Sequence, residues 1–89
     1  MAVSNAQIER IIVLAKLYGA TRLILFGSSA ETPDKANDID IACDGIQGWK
    51  LYELAARLEN ELGTSLDIVP LNPPSRFTEH IKTKGKVLL

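Results

Sequence analysis

Three aspartates stand where a carboxylate is costly unless something binds it. Asp38 and Asp40 alternate with Ile39 and Ile41 in "DIDI", and Asp67 sits between Leu66 and Ile68 in "LDIV". In an extended strand, residues two apart point to the same face. Asp38 and Asp40 therefore project together, with Cα atoms about 6.5–7 Å apart, while the isoleucines point into a core. Two carboxylates on one face repel each other. A divalent cation between them turns that repulsion into ligation, and Mg²⁺ takes one or two carboxylates together with phosphate oxygens and waters. If the strand of Asp67 pairs beside that of Asp38 and Asp40, all three can act together. Such a set can hold two metals about 3.5–4 Å apart, the separation used for in-line phosphoryl displacement. An all-oxygen donor set favours Mg²⁺ or Mn²⁺.

Gly27-Ser28 supplies the complementary chemistry. The pair follows an apolar run and precedes a short helical piece. Backbone N–H groups there can cradle a phosphate, glycine lets it approach closely, and the Ser28 hydroxyl adds a donor. It is not a P-loop, because the Gly-Lys-Ser/Thr ending is absent. Each signal alone has a plainer reading: Asp38 capping a turn after Asn37, Asp67 as a solvated strand residue, Gly27-Ser28 as an ordinary turn. Their combination favours the site.

These residues need elements to hold them. Ser4 with Gln7 reads as a capping box, and Ile8, Ile11, Ile12, Ala15 and Leu17 or Tyr18 recur at helical spacing, so residues 5–18 form a helix stopped by Gly19. "RLILF" (Arg22–Phe26) is a continuous apolar run suited to a strand buried on both faces. Residues 38–43 form an alternating strand. Residues 49–63 form the clearest helix, with Leu51, Leu54, Ala55, Leu58 and Leu62 on one face. Residues 66–71 form a third strand, whose Pro70 belongs at an edge or strand terminus. Residues 75–84 form a short helix followed by Gly85, and "VLL" closes the chain. The order helix, strand, strand, helix, strand, helix predicts a small α/β (α+β) sandwich, with helices over a mixed sheet.

Composition narrows the function classes. The chain has 89 residues, read as one domain (1–89), with 46% apolar and 24% charged residues and a net charge of -1. That balance argues against strong nucleic-acid binding. A domain this small is marginal alone, which makes a partner or an oligomer plausible. The single cysteine, Cys43, permits no internal disulfide and no cysteine-rich zinc site. The apolar stretch at residues 11–15 is too short for a signal peptide or a membrane span, and the protein is read as cytoplasmic. Cys43 reads as a small core residue, His80 as a surface or partly buried residue, and Trp49 as a packing residue, with an interface as the lesser alternative. Tyr18 and Tyr52 read as helix-edge packing. Lys82, Lys84 and Lys86 read as a solvated face near a helix C-terminus.

"LFGS", nine residues, then "DIDI" and later "LDIV" together resemble the signature of the DNA polymerase β-type nucleotidyltransferase superfamily. At this length the chain is most similar to the minimal nucleotidyltransferases, the small antitoxin partners of HEPN toxins. The resemblance implies the nucleotidyltransferase fold. It implies that Asp38, Asp40 and Asp67 hold Mg²⁺ (or Mn²⁺), that Asp67 helps activate an acceptor hydroxyl, and that Gly27 and Ser28 contact phosphates. The implied reaction is transfer of AMP from ATP to a tyrosine of a HEPN partner, which is silenced. One stretch departs from the pattern. Where minimal members often carry an arginine and a glycine, this chain has Ser29-Ala30-Glu31-Thr32, and Glu31 brings negative charge to the turn. Lys35 is a candidate to compensate. A catalytically weak module that neutralises its partner by binding is therefore the alternative. A nucleotide-adding enzyme acting on RNA ends fits less well, given the charge and the absence of an RNA-holding domain in this sequence. Acceptor specificity would have to come from a partner or a second copy.

Overall fold

The amphipathic segments fold as their periodicity dictates. The computed structural model describes residues 3–32 and 38–89; Lys35 and Asn37 lie outside the described residues. The elements run α1 (Asn5–Leu17), β1 (Arg22–Phe26), α2 (Ser28–Glu31), β2 (Asp38–Asp44), α3 (Trp49–Leu62), β3 (Ser65–Pro70), α4 (Arg76–Lys84) and β4 (Lys86–Val87). Each expected helix and strand is present, with ends shifted by a residue or so. The two-residue strand β4 was not expected. Nothing in a stretch that short has a readable period, and it exists because β1 offers it an open edge.

The sheet is mixed, in the order β3-β2-β1-β4. β1 pairs antiparallel with both β2 and β4, whereas β2 and β3 run parallel, joined through α3. Parallel neighbours need a crossover, and α3 provides it. β3 is an edge strand, which is where Pro70 can sit without breaking a ladder.

The two faces of the sheet differ. One carries Leu23, Leu25, Ile39, Ile41, Cys43 and Leu66, packed with Ile11 and Leu14 of α1 and Leu51, Leu54 and Leu58 of α3. A fully buried leucine contributes roughly 1.5–3 kcal/mol. The stripe therefore holds α3 in place, since its N-cap, Gly48, makes no side-chain cap. α1 starts on the expected capping box: Ser4 Oγ accepts from Gln7 N at 3.1 Å, and Ser4 N donates to Gln7 Oε1 at 2.8 Å. Arg10 and Glu61 pair across α1 and α3.

The opposite face has a smaller cluster, in which Ile24 and Ala42 pack with Leu71 and with Ile81 of α4. α4 covers only part of this face. Cys43 is buried, as expected, and His80 is exposed. Trp49 corrects the sequence reading: it is 70% exposed and does not serve the core, because it stands at the first turn of α3, off the leucine stripe. Tyr52 is likewise exposed and Tyr18 half-buried. Among the described residues, no helix is long and apolar enough to cross a membrane.

Candidate functional site

Strand register brings the carboxylates together. Phe26 pairs with Asp40, and Asp40 pairs with Asp67, so one row crosses β1, β2 and β3 on a single face. Adjacent strands lie about 4.8 Å apart, which sets the backbone separation of Asp40 and Asp67. Asp38 pairs with Ser65 and lies two residues up β2 on the same face. The neighbouring row on this face, Ile24–Ala42–Val69, is apolar and joins the cluster under α4. The face thus changes from a covered apolar half to an open acidic half within one pleat.

Asp40 is half-buried, whereas Asp38 and Asp67 are exposed. Burial pushes the Asp40 carboxyl above its ordinary range, and the negative charges of Asp67 and Asp38 push it further the same way. Among the described residues none of the three carboxylates is ion-paired. Among the described residues, too, no three carboxylate, imidazole or thiolate groups converge tightly enough to hold an ion as they stand. The backbone sets these three acids on one face, and mutual repulsion opposes their closing on one point. Their donor set, all oxygen, on neighbouring strands and, among the described residues, without a paired cationic side chain, fits a hard divalent cation.

The turn after β1 is built around Asp40. Gly27 adopts φ 66°, a left-handed value that favours glycine. A Cβ there would lie 2.8 Å from Asp40 Oδ2, so glycine is required on two counts. Ser28 opens the single turn of α2 and is exposed. Ser29, fully buried, is the residue the sequence reading missed. Its Oγ donates to Phe26 O at 2.7 Å and accepts from Asp40 N at 3.2 Å, stitching α2 to both site strands. The available signal was a second hydroxyl directly after Gly-Ser at a strand-to-helix junction.

Glu31 lines a cavity of about 280 Å³ together with Gly27 and with Phe77, His80 and Lys84 of α4. The structure thus places Asp38, Asp40 and Asp67 on one face of the sheet and Gly27 beside Asp40, with Ser28 next in the chain.

Comparison with known proteins follows this geometry. A toxin–antitoxin structure with AMP-PNP is 29% identical with a TM-score of 0.78, covering 92% of this chain and 72% of that one. The toxin–antitoxin pair MntA–HepT matches at 26% identity and a TM-score of 0.74, over 97% of this chain and 72% of that one. A tri-AMPylated Shewanella oneidensis HEPN toxin in complex with its MNT antitoxin matches at 27% identity and a TM-score of 0.75, over 94% of this chain and 70% of that one. A search of curated proteins gave no match. The family model for polymerase β nucleotidyltransferases matches residues 9–89. The chain therefore belongs to the polymerase β nucleotidyltransferase family, within which it resembles the minimal MNT antitoxins.

Proposed function

We propose that residues 1–89 form a single-domain, cytoplasmic, metal-dependent nucleotidyltransferase. It would transfer AMP from ATP to a tyrosine hydroxyl of a HEPN partner and so act as an antitoxin. The observation that carries this reading is the Asp40–Asp67 row, flanked by Asp38 and by the Gly27 turn. The AMP-PNP and tri-AMPylated toxin complexes of similar chains support the nucleotide and the acceptor class.

In this reading Asp38 and Asp40 hold Mg²⁺ (or Mn²⁺) and Asp67 completes the set. The bound ions would neutralise phosphate charge as it develops. Asp67 lies exposed on the edge strand, where a protein acceptor can reach it, and there it orients the hydroxyl and draws on its proton. The hydroxyl oxygen attacks the α-phosphorus. The bond from that phosphorus to the bridging oxygen breaks, and pyrophosphate leaves with the electron pair. Gly27 and Ser28 hold the phosphates with backbone N–H groups and the Ser28 hydroxyl.

The Asp38→Asn/Asp40→Asn double variant tests this with partner, ATP and Mg²⁺. Transfer should vanish while the far-ultraviolet dichroism stays unchanged; undiminished transfer would sink the reading.

Glu31 favours a second reading, in which the chain neutralises its partner by binding with little catalysis. The same double variant would then still bind and silence the partner.

A further inference from the structure

We infer that Lys84 and His80 of α4 hold the leaving, pyrophosphate end of the nucleotide, in the cavity they share with Gly27 and Glu31. This rests on the proposed nucleotidyltransferase reading and adds to it the residues that take over where the turn itself is not basic.

Direction is the first argument. Gly27 lines this cavity and also stands beside Asp40, close enough that a Cβ would lie 2.8 Å from its Oδ2, so the cavity and Asp40 are separated only by the Gly27 turn. The row runs from Asp67 on the exposed edge strand, through Asp40, to Phe26 on β1. An acceptor approaching at Asp67 attacks with the leaving oxygen opposite it, as in-line displacement requires. The leaving group therefore points toward β1 and α4, where the cavity lies. The nucleoside is attached through an oxygen that is not in line and leads elsewhere.

Charge is the second argument. α4 brings an ammonium and an imidazole to the cavity wall. Lys82, in the same last turn, is engaged with Glu79 at 3.6 Å, whereas Lys84 has no ion pair among the described residues. Glu31 lines the same cavity without pairing to Lys84. A phosphate seated there would gain a charge-assisted bond from Lys84 and an N–H donor from His80, while Glu31 opposes it.

Rigidity is the third argument. Phe77 packs edge-to-face on Phe26, with ring centroids 5.8 Å apart at 85°. A Cβ at Gly85 would lie 2.4 Å from Ile24 Cγ2 and 2.9 Å from Leu25 O, so the chain just after Lys84 is seated tightly on β1. Both contacts fix α4 against β1, the strand that leads into Gly27.

Calorimetric titration of the full chain with a non-hydrolysable ATP analogue, inorganic pyrophosphate and AMP, each with Mg²⁺, tests the assignment. Lys84→Ala should weaken the triphosphate and pyrophosphate by at least about tenfold and leave AMP unchanged. Lys84→Ala/His80→Ala should weaken them further, and Glu31→Gln should tighten them. Both α4 side chains are exposed, so the variants should melt as the parent does. Unaltered triphosphate affinity in the double variant would overturn the inference alone. An equal loss for AMP would overturn it in favour of a nucleoside seat. Failure of the parent chain to bind the analogue would overturn both this inference and the proposed function.

Discussion

The buried hydroxyl of Ser29 accepts the backbone N–H of Asp40 at 3.2 Å while donating to Phe26 O at 2.7 Å. One side chain thus ties the helical turn after β1 to the strand that carries two of the three acids. A hydroxyl at this position fixes the site without entering it.

Ser29→Ala should therefore cost about 1–3 kcal/mol of stability, because it removes two hydrogen bonds to half-buried backbone groups from a fully buried hydroxyl. Urea unfolding measures the loss. Ser29→Thr, which restores the hydroxyl, should recover only part of it, because the site is fully buried and the added methyl has little room. A loss below about 0.5 kcal/mol, the range of a neutral surface change, would contradict the stitching role.

Gly27→Ala should be harsher on the site than on the fold. The substitution forces φ 66° on a residue with a Cβ and drives that Cβ to 2.8 Å from Asp40 Oδ2. The strain is on the order of 1–3 kcal/mol. The Asp40 carboxylate must rotate away, and with it a metal ligand of the proposed site. Mg²⁺-dependent binding of an ATP analogue should fall by more than tenfold in a protein that still folds.

Gly85→Ala should destabilise the whole domain. Its Cβ would meet Ile24 Cγ2 at 2.4 Å and Ile81 O at 2.6 Å, so α4 must lift from β1. Overpacking of this kind typically costs 1–3 kcal/mol or more. Thermal unfolding reads the cost, and a melting temperature equal to the parent's would refute the tight seating.

Cys43 gives the alkaline limb of stability a sign. Burial, aided by the charge of Asp44, raises the thiol from 9.0 to about 11, against a smaller lowering by a backbone hydrogen bond at Ile46. From pH 9 upward the unfolded chain loses its proton first, so the native state binds more protons and stability falls as pH rises. The contribution is complete below pH 9 and is lost by about pH 11. Cys43→Ala should be less stable at neutral pH, from lost packing, and should show a shallower decline across that window. Native Cys43 should also resist thiol reagents at pH 8 until the protein unfolds.

Much of this protein was legible in one dimension. The period-two alternation of "DIDI" and "LDIV" fixes which side chains share a face, because pleating is local. The period of α3 fixes its buried stripe, and Ser4 with Gln7 fixes the start of α1, for the same reason. The family resemblance rested on these local features and on the Gly-Ser turn, and the fold agrees with it.

What the tertiary structure alone decided is everything that depends on pairing between distant segments. That Asp67 stands opposite Asp40, and not beside Asp38 or one residue out of register, is set by how α3 returns the chain to β2. That Ser29 is a buried tie and not part of a surface turn depends on β2 passing beneath it. That Trp49 is exposed depends on where the leucine stripe of α3 meets the sheet. That His80 and Lys84 face the Gly27 turn depends on α4 folding back on the acidic side of the sheet. The physical reason is common to all four. Alternation and capping are determined within a few residues, whereas register, strand order and the facing of helices follow from burying apolar surface between segments far apart in the chain.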